Sequence, residues 1–406
     1  MRFISNFMAG ITVLGIAFSA FAESGSAEEP ALPEFSGPTP GVSRSIGVPT
    51  LDLSGETQRH SIVARGTAET YHGHCDTVLL SDGKTMLTAW TVGHAQRVGP
   101  IARSDDAGKT WSGPLAVPAN WHQTANTPAI HRLVDPAGKA RLIVFADGLD
   151  WRRQGKPPYP MHQAVSEDDG KTWSPMQPNG IQGEVPPKTI LSFDQGDRLV
   201  LWSDLPGSIV QSESRDGGLT WTRERRILKV PSRWGQPCVI RSPEGGQLLM
   251  LIRENSRRHN SLYSVSHDNA QSWSEPRELP AALTGDRHVA RYAKDGRLVV
   301  AMRDTAKSSK SYGHYVAWVG RYKDILAGRD GEYRIKLLNN SNRTAQDVPG
   351  QGNYDCGYSD LEVLPDGTFV ATTYVKYAPG AEQNSVVNTR FQLSELDERK
   401  AKTAPR

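Results

Sequence analysis

Residues 104–111 read Ser-Asp-Asp-Ala-Gly-Lys-Thr-Trp, and this stretch decides the fold because the chain repeats it. Residues 166–173 and 214–221 follow the same template, Ser-x-Asp-x-Gly-x-Thr-Trp, and residues 266–273 follow it with Ala and Ser in place of Gly and Thr. Asp and Gly favour a tight reversal, in which the Asp side chain accepts backbone hydrogen bonds and Gly adopts a positive φ. Four copies at intervals of about 50–60 residues predict a repeated β-hairpin whose Trp fills the gap between neighbouring strands.

A second unit recurs along the chain, consisting of an apolar strand, an Asp/Gly turn and another apolar strand. Short alternating strands with regular turn signals and no convincing helical periodicity predict an all-β fold built by radial repetition. Six blades of four strands use about 350 residues, so we predict one six-bladed β-propeller of four-stranded antiparallel blades over residues 49–400. The six copies of the unit span residues 77–87, 130–144, 190–201, 239–252, 289–302 and 361–373.

The four turns resemble the Asp-box, or BNR, repeats of the sialidase superfamily, and the count of six blades is similar to that family's fold. The resemblance covers essentially the whole chain after its first segment. It implies a glycoside hydrolase that acts on sialic acid or a related acidic sugar of glycans. Asp boxes also occur in propellers with other chemistry or none, so the resemblance is more specific for fold than for activity.

Composition excludes several other classes of protein. The 406 residues carry 47 basic and 44 acidic side chains, a formal net charge of +3, without basic runs. Because nucleic acids are bound by clustered Lys and Arg, we expect no nucleic-acid partner. Ten Trp, twelve Tyr and nine Phe need a packed core, which argues against disorder.

The first residues match a secretory signal, with a basic start, a short apolar run and a small-x-small exit. We therefore expect a signal peptide at residues 1–22, a Gly/Ser/Pro-rich linker at 23–48, and a secreted or periplasmic protein without a membrane span. Cys75, Cys238 and Cys356 are expected to be small buried residues, with one disulfide left as an alternative. At the other end, a charged tail from Glu395 to Arg406 is expected to be frayed.

Strand order separates the two faces of the predicted propeller. The Asp boxes lie between the third and fourth strands of their blades, on the face opposite the starts of the inner strands, so their aspartates are expected to be structural. Polar residues at inner-strand starts and second-strand ends converge on the other face, the top face, where a ligand pocket is expected. Besides the site residues named below, these are His72, Trp90, Asp147, Asp150, Arg152, Glu184, Asp204, Asn255, His288, Asp304, Tyr354, Asp355, Tyr374 and Lys376.

The sialidase pattern assigns roles to some of these positions. Tyr358 matches the tyrosine nucleophile of the last blade, and Arg253 matches an arginine that pairs with the substrate carboxylate. Gln236 stands where the family has a glutamate. The first-blade arginine motif is replaced by His72-Gly73-His74-Cys75-Asp76, and His94 lies where the family's proton-handling aspartate is expected.

We therefore predict two groups of site residues. His74 or His94 replaces the missing aspartate as general acid, because imidazole titrates near neutral pH. Arg303 and Arg287 approach the same space from blade five. The predicted catalytic residues are Tyr358, His74, His94, Asp76 and Glu254, and the predicted substrate-binding residues are Arg253, Arg303, Arg287, Gln236 and Asp360.

Two other functions remain open from the sequence. A polysaccharide lyase on a uronic-acid polymer would use a His as base and Tyr358 as proton donor. A carbohydrate-binding propeller without catalysis would explain why several family positions are replaced. No cofactor motif and no zinc-type spacing of Cys and His is present, so we expect no cofactor or metal, and the sequence leaves the oligomeric state open.

Overall fold

The computed structural model describes residues 31–147, 159–231, 235–342 and 355–403. The predicted signal peptide therefore lies outside the described residues. The described chain forms the predicted six-bladed propeller, with mostly four-stranded antiparallel blades. Inner strands of neighbouring blades contact one another between blades one and two, four and five, five and six, and six and one.

The strands run from the axis outwards in each blade, and the first two strands of the chain join blades five and six at their outer edges. In chain order these two are β1 (Thr50–Asp52) and β2 (His60–Ala64).

Blade one contains β3 (His72–Leu79), β4 (Met86–Val92) and β5 (Arg97–Ser104). Blade two contains β6 (Ala125–Val134), β7 (Ala140–Asp147), β8 (Tyr159–Ser166) and β9 (Gln177–Gly183). Blade three contains β10 (Ile190–Phe193), β11 (Arg198–Leu205), β12 (Ser208–Ser214) and β13 (Arg225–Lys229).

The remaining blades follow the same order. Blade four contains β14 (Cys238–Arg241), β15 (Leu248–Ile252), β16 (Leu262–Ser266) and β17 (Arg277–Glu278); blade five contains β18 (Gly285–Tyr292), β19 (Leu298–Asp304), β20 (Tyr315–Gly320) and β21 (Tyr333–Leu338); blade six contains β22 (Ser359–Val363), β23 (Phe369–Val375) and β24 (Ser385–Phe391). The described residues also form two short α-helices, α1 (Tyr322–Leu326) and α2 (Leu393–Thr403).

The Asp boxes form the turns that follow β5, β8, β12 and β16, as predicted. In the first box, Asp106 Oδ1 accepts hydrogen bonds from the backbone amides of Lys109 (3.1 Å) and Thr110 (2.9 Å), and Oδ2 accepts from the Thr110 hydroxyl (2.6 Å). Ser104 Oγ donates to the same carboxylate at 2.8 Å. These aspartates therefore stabilise turns on the face opposite the top face, which confirms their structural role.

The fourth box keeps this geometry without its Gly and Thr. Ala270 occupies the glycine position with φ +69°, and Ser272 donates to Asp268 Oδ2 at 2.5 Å. A non-glycine residue in the left-handed region costs about 1 kcal/mol or more. The hydrogen bonds of Asp268 and the packing of the buried Ala270 therefore hold this turn against local strain.

The N-terminal segment closes the ring. Strand β2 pairs antiparallel with β24 and becomes the outer strand of blade six. Before it, residues 33–48, in the stretch predicted as a linker, lie along outer strands. Pro33 accepts a hydrogen bond from Lys229 in blade three, Arg44 bonds to Glu278 in blade four, and β1 pairs parallel with β21 in blade five.

Blade five and the C-terminus depart from the repeat. Helix α1 stands between β20 and β21, in the place of an Asp box. The prediction of a frayed tail is wrong for the described part, because α2 packs on the propeller. Leu393 and Leu396 are buried in the core shared by blades five and six, and Asp397 forms an ion pair with Arg297 at 2.7 Å. All three cysteines are buried and unpaired, as expected.

Asp106→Ala is expected to lower the free energy of unfolding by about 1–2 kcal/mol, because the turn amides lose their acceptor. Hydrogen bonds of the turn outweigh partial burial and lower the pKa of Asp106 to about 2. The pKa of this carboxyl group is lower in the folded protein than in the unfolded chain, where it is about 4. The ionised carboxylate therefore stabilises the fold above about pH 4, and this stability is lost as the pH falls below that value.

The measurement is urea unfolding of both proteins from neutral pH down to about pH 3, with the difference between them expected to shrink on acidification. Asp105→Ala is the matched control, because Asp105 is exposed and, within the described residues, its side chain bonds only to Arg103, so its change is expected to stay within about 0.5 kcal/mol. Equal losses from both variants would contradict the structural role of the box.

Candidate active site on the top face

Near the start of four inner strands, on the top face, a non-glycine residue adopts the left-handed region. These are His74 (φ 30°), Asn126 (φ 68°), Gln236 (φ 43°) and Arg287 (φ 53°) of blades one, two, four and five. Bulges interrupt the inner strands β3, β6 and β18 at these points. Such strain concentrates at functional sites, because bulges re-aim side chains.

Tyr358 lies just before β22, and its hydroxyl is held by two donors. Gln236 Nε2 donates to Tyr358 Oη at 2.5 Å, and Arg253 Nη1 donates to the same oxygen at 3.2 Å. Arg253 Nη1 also donates to Gln236 Oε1 at 3.1 Å, which fixes the amide with its N–H groups towards the tyrosine. Among the described residues, no side chain accepts the tyrosine's own proton. The structure thus brings the predicted Tyr358, Gln236 and Arg253 together.

The Tyr358 ring is enclosed by a histidine and two arginines. The His74 ring stacks on it at 4.3 Å, and the guanidinium carbons of Arg287 and Arg303 lie 5.5 and 6.0 Å from its centroid. Burial lowers the pKa of His74 well below its usual value, and the nearby His94 adds to this effect. His74 is therefore neutral at pH 7, and its Nε2 has no hydrogen-bond partner within the described residues.

His94 lies beside His74, at 4.7 Å between ring centroids, and pairs with a carboxylate. Its Nδ1 lies 3.1 Å from Asp355 Oδ1, while Tyr71 and Tyr374 donate to the two oxygens of Asp355 at 2.7 and 2.8 Å. Burial acts to raise the pKa of Asp355, but the hydrogen bond and charge of His94 lower it below its usual range. The side chain of His94 is 44% exposed, so the Asp355–His94 pair faces solvent. This geometry suits proton transfer.

Blades two and three carry three buried carboxyl groups, those of Asp147, Glu184 and Asp204. Asn126 Nδ2 donates to Asp147 Oδ2 at 2.5 Å, and the backbone amide of Gln236 donates to Asp204 Oδ2 at 3.4 Å. Burial, aided by the charge of Glu184, raises the pKa of Asp204 to about 7, and burial raises that of Asp147 well above its usual value. Uncharged carboxyl groups in this place can donate hydrogen bonds to a ligand.

Asp76 and Asp360 belong to a separate cluster on the axis. Lys188 contacts Asp76 and donates to Asp360 Oδ1 at 2.9 Å, and Asp76 Oδ2 also accepts from the backbone amide of Ile130 at 2.9 Å. A cavity of about 180 Å³ lies here. Burial raises the pKa of Asp76 to about 6 against the opposing effect of Lys188. The structure does not join these two carboxylates to the Tyr358 hydroxyl, and neither contacts it.

Glu254 also differs from its predicted setting. Its Oε1 accepts from the amide of Ser256 (3.0 Å), and its Oε2 accepts from the amides of Arg258 (3.0 Å) and His259 (3.2 Å). Both oxygens therefore order the loop that follows β15. Its predicted catalytic role stays a prediction, and the contacts that it makes are those of a loop cap.

The arginines of the site converge on a residue that the sequence did not single out. Asp286 Oδ2 accepts from Arg257 and Arg303 at 2.6 and 2.5 Å, and its Oδ1 lies 2.9 Å from Arg253 Nε. Arg287, by contrast, makes one hydrogen bond within the described residues, from Nη2 to the Pro186 carbonyl at 3.2 Å. Arg253 and Arg303 are thus internally paired.

Of the other predicted top-face positions, Asp150, Arg152 and Tyr354 lie outside the described residues. His72 Nδ1 accepts a hydrogen bond from the Trp90 indole at 2.9 Å. Across the described ranges, no three His, Cys, Asp or Glu side chains form a group that would bind a metal ion. None of the helices described has the length and apolar character needed to cross a bilayer.

The family model of the BNR repeat-like domain matches residues 56–370. Among solved structures, the chain is similar to a protein of unknown function from Dyadobacter fermentans (TM-score 0.61, 15% identity, 82% of this chain and 97% of that chain covered). It is also similar to an α-L-arabinanase from Penicillium chrysogenum (0.58, 16%, 83% and 98%) and to the NanB sialidase from Streptococcus pneumoniae (0.55, 13%, 83% and 71%). At these identities, the likenesses support the propeller fold alone.

Lys188→Met is expected to destabilise the protein by about 3–5 kcal/mol, because Asp76 would remain buried without its cation and Asp360 would keep only Arg291, at 3.7 Å. Thermal unfolding at pH 7 measures the loss. Because an uncompensated carboxylate can be neutralised, the variant is expected to regain part of its stability as the pH falls towards about 5. Lys139→Met, at an exposed ion pair with Glu167, is the control and is expected to stay within about 1 kcal/mol. A loss no larger than in this control would contradict the assigned ion pairs.

Proposed function

The chain belongs to the BNR repeat-like domain family, and from this premise we propose that it is a glycoside hydrolase whose reaction takes place at Tyr358. The observation that carries the proposal is the Tyr358 hydroxyl, held by Gln236 and Arg253 beside the Asp355–His94 pair. Two donors on one phenol oxygen stabilise negative charge that develops there. A tyrosine needed only for packing would not require both.

The site supplies a nucleophile, a general acid and two hydrogen-bond donors for this reaction. Tyr358 Oη attacks the anomeric carbon, its proton passes to water, and His94 protonates the leaving glycosidic oxygen as the carbon–oxygen bond breaks. In the second step, His94 takes a proton from water, which attacks the anomeric carbon and releases the sugar. The phenol oxygen leaves while Gln236 and Arg253 donate to it, and it regains a proton from solvent.

We further propose that the substrate is a glycan with an acidic sugar, reached from outside the cell. The acidic group would meet Arg287, because this guanidinium lies at the Tyr358 ring and makes only one hydrogen bond within the described chain. A planar guanidinium pairs with a carboxylate through two N–H groups. The secretory pattern of residues 1–22 supports an extracellular or periplasmic substrate.

A polysaccharide lyase is the second candidate, and one observation favours it. No carboxylate contacts Tyr358 Oη within the described residues, and the tyrosine's own proton is available to a ligand. In that reaction, His94 would take the proton next to the uronate carboxyl group, and Tyr358 would donate its proton to the leaving oxygen. The product would carry an unsaturated bond that absorbs in the ultraviolet.

The test is a screen of the purified protein on sialylated, uronate-containing and sulfated glycans. New reducing ends without ultraviolet absorbance support hydrolysis, and both signals together support a lyase. Tyr358→Phe is expected to lower turnover at least about a hundredfold, because the reacting oxygen is removed. Tyr377→Phe, at a half-buried tyrosine whose hydroxyl bonds to Arg65, is the matched control and is expected to leave turnover unchanged. Sugar binding without turnover on any acidic glycan would contradict the proposed hydrolase and would indicate a carbohydrate-binding propeller without catalysis.

A further inference from the structure

Asp286, at the start of the inner strand of blade five, gathers three guanidinium groups. Arg257 donates to both of its oxygens, at 2.7 and 2.6 Å. Arg303 donates through Nε at 3.0 Å and Nη2 at 2.5 Å, and Arg253 Nε lies 2.9 Å away. We call Arg253, Arg257 and Arg303 the arginine cluster. One carboxylate therefore has five guanidinium nitrogens within hydrogen-bond distance.

The charge of Asp286 is permanent under ordinary conditions. The residue is fully buried, and burial acts to raise its pKa. The charges of Arg253, Arg257 and Arg303 outweigh this effect and keep the pKa far below its usual value. A buried carboxylate with this many partners stays ionised and fixed in place.

The arginine cluster also reaches the Tyr358 segment. The Nη1 of Arg253 donates to Tyr358 Oη and Gln236 Oε1, and the Nη1 of Arg303 donates to the carbonyl of Cys356 at 2.8 Å. Arg303 thus donates to Asp286 with one part of its guanidinium and to the reacting segment with another, whereas Arg253 donates to Tyr358 and pairs with Asp286 by charge alone. A guanidinium binds a carboxylate through a fork of N–H groups, and the forks of Arg257 and Arg303 already point at Asp286.

We propose that Asp286 is an internal carboxylate that fills the arginine cluster and makes it a support for Tyr358, so that the cluster does not receive the acid group of a ligand. Asp286 is then a positioning residue, and a ligand's acid group is left to Arg287. Only the part about Arg287 rests on the proposed function. The occupancy of the arginine cluster can be tested without any turnover.

The experiment uses acetate as a small carboxylate and follows Tm at neutral pH in about 100 mM sodium acetate against the same concentration of sodium chloride. Asp286→Ala removes the internal carboxylate and leaves space next to three arginines. Acetate is expected to raise the Tm of this variant by about 2–4 °C over chloride. The wild-type protein is expected to show no difference between the two salts.

Asp286→Asn is the matched control, because its side chain fills the same space and excludes acetate, so no difference between the salts is expected. A second control is Asp304→Ala, which removes the carboxylate that pairs with the fully buried Arg334 at 2.7 Å, away from the Tyr358 hydroxyl. An acetate effect in this variant equal to that in Asp286→Ala would show that any lost buried aspartate produces it, and would overturn the proposal.

Two other results would also overturn it. One is an acetate effect in the wild-type protein as large as that in Asp286→Ala. The other is an Asp286→Ala variant that folds and shows no acetate effect. Should Asp286→Ala fail to fold, wild-type crystals soaked with acetate decide the question, because acetate bound to Arg253 and Arg303 would contradict an occupied cluster. A failed glycan screen would sink the proposed function while leaving these results unchanged.

Discussion

The antiparallel pairing of β2 with β24 is the contact on which the rest of the molecule depends. It joins the start of the propeller to its last blade, so that blade six is completed by residues from both ends of the chain. A ring of blades has no axis site until it is closed, because the inner strands are placed by the contacts of their neighbours. Tyr358, in blade six, meets Gln236 and Arg253 of blade four only within that closed ring. Ring closure and site formation are therefore one event.

The fold was readable from the sequence because its signals are local. An Asp box satisfies its own backbone within five residues, as the bonds from Thr110 to Asp106 show, so its residue types must recur wherever the turn recurs. Helix α2 was missed, because its short apolar side, Leu393 and Leu396, has meaning only against the core that buries it.

The site was readable in part. Strand order placed Tyr358, Gln236, Arg253, His74 and His94 on one face, and the structure gathers these five residues around one phenol ring and one Asp–His pair. The ion-pair partners of charged residues could not be predicted from the sequence, because the ion pairs of this protein join segments that are distant along the chain. Lys188 and Asp360 are separated by 172 residues, and nothing near either of them signals the other. Asp286 was not predicted as a site residue for the same reason. Asn126 was not predicted because the bulge that contains it leaves no distinctive local pattern in the sequence.

The N-terminal segment along the outer strands has a consequence for how the protein is made. Thr39 bonds to a residue 239 positions later, and Arg59 bonds to one 336 positions later. During synthesis, the first strands therefore wait for nearly the whole chain, and contacts of such long range form slowly. Until β24 is made, β2 has no partner and its edge stays open to other chains, and a chain shortened at its C-terminus would leave β2 unpaired. The residues that are synthesised first are therefore the last to take their places in the folded ring.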